Sequence, residues 1–143
     1  MTTNEQVSYR LKLAQGFLNE ARQDVDLQRW RSAVDNAQLS VENAAKAVLA
    51  LLGPVGRTHT PAVLLRQALS QGVFTGENGE RVRQLAEQAE LLGSDIHIQT
   101  DYGDEPGGRS PWELFGEADA HQALATAERA AQLAGEIVQG VQS

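Results

Sequence analysis

No cysteine occurs in this chain, which excludes disulfides and thiolate metal sites. Aromatic residues make up only 5% of it, against a hydrophobic fraction of 41%. Its core must therefore be built from alanine, leucine and valine. No run of about 18 apolar residues is present, so no membrane span is expected. The opening MTTNEQVSYR carries no apolar signal region. Together these absences point to a cytoplasmic protein. Positive charge is also scarce: 12 Lys and Arg stand against 19 Asp and Glu, for a formal net charge of −7. That argues against a surface that binds nucleic acid everywhere, but it leaves room for a local basic site.

The 143 residues suffice for one domain with a real core, and residues 1–143 are expected to form that single domain. There is no internal repeat and no low-complexity tract. The clearest periodicity lies between Arg29 and Gly53, where Trp30, Ala33, Val34, Ala37, Val41, Ala44, Ala45, Val48 and Leu52 recur every three or four residues. Alanines thin this face, so a partner helix can approach closely.

A first helix is predicted from about Asn4 to Val25, opened by a capping box at Thr2 and Glu5 or at Thr3 and Gln6. Asp26 is expected to cap the second helix, which ends at Gly53-Pro54. Thr60-Pro61 reads as cap and first residue of a short third helix reaching about Gln71. Gly72 to Gly79 reads as a loop, and a fourth helix follows from about Glu80, with Gly93 kinking or ending it. Ser94 to Arg109 begins ambiguously, through Ile96 and Ile98, and ends as a loop. Ser110-Pro111-Trp112-Glu113 is a full capping box, and Glu117 to Gln142 is a long amphipathic helix. The fold class is all-α: an up-and-down bundle of about five helices.

The pattern also has a family likeness. From Arg29 it runs through an aromatic and basic start, Ala-Val-x-x-Ala, Glu-x-Ala-Ala-Lys-Ala-Val-Leu and a closing Gly. This resembles the second helix of HEPN domains (higher eukaryotes and prokaryotes nucleotide-binding). Gly56-Arg57-Thr58-His59-Thr60 before Leu64-Leu65 resembles the loop into that family's third helix, and Trp112 to Ile137 its terminal segment. Many such domains resemble metal-free ribonucleases whose hallmark is an Arg, four to six residues, then a His. That spacing is missing before His59, His97 and His121 alike. The resemblance then implies a member without catalysis: a nucleotide- or RNA-binding module or nucleotidyltransferase partner, in a toxin–antitoxin setting, that pairs with itself. No cofactor is implied. The alternative is a metal-independent ribonuclease with a rearranged site at His97 or His59. A third reading is a purely structural helical protein.

Two clusters are candidate sites. Between Glu42 and Glu77 there is no carboxylate, which leaves a basic island of Lys46, Arg57, His59, Thr60 and Arg66. Unpaired N–H groups at the Thr60-Pro61 helix start would favour a phosphate there, so Lys46, Arg57, His59 and Thr60 are the expected anion contacts. The plainer reading is a solvated loop. Asp95, His97, Asp101, Tyr102, Asp104 and Glu105 could suggest a Mg²⁺ or Zn²⁺ site. Their spacing matches no metal signature, and a flexible, solvated acidic loop is the plainer reading, so no metal site is expected. His121 reads as a partly buried structural residue. Trp30, Leu39 and Trp112 read as packing anchors or parts of a dimer face.

Overall fold

A computed structural model describes residues 1–142. Seven helices are found among the described residues: α1 (Thr3–Asp26), α2 (Trp30–Ala50), α3 (Pro61–Ser70), α4 (Gly76–Leu91), α5 (Ser94–Tyr102), α6 (Pro111–Leu114) and α7 (Glu117–Gln142). They form a helical bundle in which α2 is central and packs against all six others. The reason lies in its sequence. Ala33, Ala37, Ala44, Ala45 and Ala47 are fully buried, and their small side chains let neighbours close in on several faces. Ser40 belongs to the same surface and donates to the Ala14 carbonyl of α1 at 2.7 Å. The main core joins this helix to Leu18, Leu65, Leu85, Leu133 and Ile137, while Val7, Ala50 and Val138 form a smaller cluster beside it.

The helix ends correct several expectations. Thr2, not Thr3, makes the first capping box, with Glu5. Asp26 does not cap α2; it is the last residue of α1. The turn into α2 is held instead by Asp24, which accepts from Ser32 Oγ and Asn36 Nδ2, both at 2.8 Å. Arg29 stands at the α2 cap position with no side-chain hydrogen bond to the first turn. The second helix ends at Ala50, and the chain turns away through Gly53 at φ 135°, a conformation suited to glycine. Thr60 precedes α3, but its hydroxyl caps nothing. Its own N–H is taken by Thr58 Oγ1 at 3.1 Å.

Helix α4 begins inside the expected Gly72–Gly79 loop. The chain folds over buried Phe74, and a Cβ on Gly79 would lie 3.0 Å from the Phe74 carbonyl oxygen. That glycine marks a close approach within a helix, not a loop. Gly93 ends α4 and opens α5, so the ambiguous Ile96 and Ile98 are helical: Ile96 packs on the core, Ile98 faces outward. The following loop closes on itself through paired Asp104 and Arg109 backbones at 2.8 and 3.0 Å. Ser110 and Glu113 make the expected capping box of α6.

Candidate functional site

Four polar residues of α2, Arg31, Asp35, Gln38 and Glu42, recur at helical spacing and so share one face. Helix α5 and the segment entering α3 pack over that face, and each candidate cluster has a residue on it.

At the Glu42 end stand residues of the basic island. Glu42 Oε2 accepts from Lys46 Nζ at 3.3 Å, and Glu42 Oε1 lies 3.8 Å from His59 Nδ1. Arg66 pairs with Glu90 at 2.6 Å. The stretch lacks carboxylates along the chain, but the fold supplies them from its edge and from α4. Lys46 is only 7% exposed, so its ammonium is held on Glu42 and away from solvent. Arg57 is exposed and has no carboxylate within ion-pair range among the described residues. His59 and Thr60 are exposed and line a cavity of about 180 Å³ together with Gln38, Glu42, Glu90 and Asp95.

In the middle of the face, Asp35 Oδ1 lies 3.4 Å from His97 Nδ1 and accepts from Thr100 Oγ1 at 3.2 Å. His97 Nδ1 is shielded from solvent yet makes no aligned hydrogen bond. The Thr100 hydroxyl also reaches the His97 carbonyl at 2.7 Å. The rest of the acidic cluster disperses. Asp101 and Tyr102 are exposed on α5, and Asp104 accepts from Gly107 N–H at 3.1 Å inside its own loop. No three His, Asp or Glu side chains converge as metal ligands among the described residues.

At the other end, Arg31 Nη1 donates to the Thr100 carbonyl at 3.0 Å, and its guanidinium stands 5.7 Å from the Trp112 ring centroid. Trp112 is 74% exposed, held out by the α6 capping box. Glu113 in that box has its carboxyl held below the usual range, chiefly by the Ser110 backbone N–H. Arg29, Trp30, Arg31 and Trp112 line an open cleft of about 440 Å³ at the uncapped start of α2. Neither arginine has a carboxylate within ion-pair distance among the described residues. Such a cleft combines two guanidinium groups, an exposed indole face and free helix N–H groups, the components that hold a phosphate and a stacked base. His121 sits nearby, 6.0 Å from the Trp30 ring, and is exposed, not partly buried.

Sequence reasoning misses Arg31, Asp35 and Gln38 because the alanine face of α2 carries the stronger pattern. The available signal was their helical spacing with Glu42 inside an otherwise apolar helix. In the positions where an arginine would complete the Arg-His spacing before His97 stand Glu90, Leu91 and Leu92.

Comparison with known proteins is consistent with this bundle. No curated protein sequence matches the chain. The chain is similar to the crystal structure of TT1696 from Thermus thermophilus, with TM-score 0.69 and 22% identity over 92% of this chain and 98% of that one. At that identity the likeness shows the fold. The HEPN domain family matches residues 7–137, and the chain belongs to that family.

Proposed function

We propose that this HEPN domain is a nucleotide- or RNA-binding module without catalysis of its own. The observation that carries this reading is the Arg29–Arg31–Trp112 cleft, an unneutralised cationic and aromatic mouth on a chain of net charge −7. In this reading a base stacks on Trp112 and its phosphate meets the arginines and the first N–H groups of α2. Arg57, His59 and Thr60 at the start of α3 form a second phosphate contact, with Lys46 acting through Glu42. The module pairs with itself through exposed Ile98 and Tyr102 of α5, and serves a nucleotidyltransferase partner in a toxin–antitoxin setting. A pull-down from the native host, with protein and nucleic acid identified in one eluate, tests the partner. Binding of a short single-stranded RNA, compared between Arg29→Ala and an Arg57→Ala, His59→Ala double variant, tests the site. Loss in the first supports the cleft, and equal affinity in both and in wild type removes the reading.

A second reading has its own support. Asp35 beside His97, with Arg31 on the same face, resembles a base and an orienting carboxylate, the parts of a metal-independent ribonuclease with a rearranged His site. RNA cleavage lost on His97→Ala or Asp35→Asn alone would establish it.

A further inference from the structure

The turn between α1 and α2 is closed by two backbone hydrogen bonds. Gln28 N–H donates to the Val25 carbonyl at 3.1 Å, and Arg29 N–H to the Asp24 carbonyl at 2.8 Å. The end of α3 is closed by the same pair, from Gly72 to Leu69 and from Val73 to Ala68, both at 3.1 Å. In this helix ending one residue past the cap takes a left-handed backbone, a place glycine favours. At α3 that residue is Gly72, at φ 73°. At α1 it is Gln28, at φ 58°, the one residue other than glycine with a positive φ among the described residues. A side chain there crowds the backbone and costs stability that glycine would spare. Asparagine or aspartate offsets this with a local hydrogen bond, but the Gln28 amide makes none.

Gln28 is exposed and lines the same open cleft as Arg29, Arg31 and Trp112. The other side chains there leave one task undone. The arginines only donate, and Trp30, Trp112 and Phe115 present mainly ring surface. The Ser32 hydroxyl is spent on Asp24 at 2.8 Å. Among the described residues lining the cleft, Gln28 alone has an uncharged side chain with a free donor and a free acceptor together. We infer that Gln28 is the base-reading residue of this cleft, its amide pairing with the edge of the base that stacks on Trp112. Adenine offers there a 6-amino donor beside a ring-nitrogen acceptor, which an amide meets with two hydrogen bonds. A strained backbone kept at a binding site suits that task. This role rests on the nucleotide-binding reading of the cleft. It can fail by itself, since the arginines and Trp112 would hold a nucleotide without it.

The test uses the full chain with AMP and with purine riboside 5′-monophosphate, which has the same phosphate and ring system but lacks the 6-amino group. Calorimetry should find AMP bound about three- to tenfold tighter by the wild type, the scale of one net hydrogen bond. Gln28→Gly and Gln28→Ala should each bind the two nucleotides equally. The two variants should differ in stability. Glycine relieves the strained turn, so its melting temperature should exceed that of the wild type by about 2–4 °C. Alanine keeps the strain and should bring no such gain. Equal binding of both nucleotides by the wild type, or a preference kept in either variant, would overturn the inference and leave the cleft as a site of phosphate contact and stacking. A Gln28→Gly protein less stable than the wild type would overturn it too, since the fold itself would then hold the side chain. Binding of neither nucleotide by the wild type at millimolar concentration would overturn it together with the nucleotide reading of the cleft.

Discussion

Asp24 shows how much one carboxylate can organise. It is almost buried at the end of α1 and takes donors from two α2 side chains, so it fixes the angle at which α2 leaves the turn. Asp24→Ala would leave the Ser32 and Asn36 donors without their partner, and a loss of about 1–3 kcal/mol is expected in urea unfolding. An unchanged midpoint would show that water replaces the carboxylate. In sequence Asp26 looked better placed, because it stood where a cap should stand. A residue that pins a turn from inside the preceding helix leaves no such mark. Glu42 teaches the same lesson at the candidate site: a stretch without carboxylates along the chain is not free of them in space.

At the scale of elements, the long helices were legible because burial imposes a regular period on Ala, Leu and Val. Helix α5 was not, since Thr100 is its one buried residue and its apolar residues point to different sides. Short helices docked by polar contacts leave no stripe to read. On α4, Glu80 bonds Arg83 and Gln84, and Arg83 also bonds Glu87. The hydrogen bond from Arg83 comes first in lowering the Glu80 carboxyl from 4.5 to about 2. A carboxyl with a depressed folded value contributes stability above its unfolded range and loses it as pH falls through the folded value. Glu80→Gln should therefore flatten the decline of melting temperature between about pH 4.5 and 2, with little change near neutrality. A decline of the same slope in both proteins would assign it to other carboxylates. The group is exposed, so added salt should shrink the effect.

For the whole molecule, the fold class followed from composition and periodicity, and the family from the order of small motifs. The site followed less well, because Arg31, Asp35, Trp112 and His97 lie on three helices and meet only when α5 and α6 close over α2. The proposed dimer belongs to this scale as well. Light scattering should find a species of twice the 15.5 kDa chain mass at micromolar concentration, and Ile98→Asp should shift it towards the monomer; a monomeric wild type would contradict the pairing. The acidic surface also limits how the proposed RNA ligand would bind. Only a local cationic mouth can hold it, so affinity should fall with salt as counterions compete for two or three contacts, not many. The decisive titration for non-catalytic RNA binding at the cleft adds short single-stranded RNA to wild type and to an Arg29→Ala, Arg31→Ala variant, read by tryptophan fluorescence, with strand length checked afterwards. The wild type should be quenched, the variant should bind at least about tenfold more weakly, and the RNA should be recovered intact. Equal affinity in the two proteins, or RNA cut by the wild type, would contradict non-catalytic binding at the cleft.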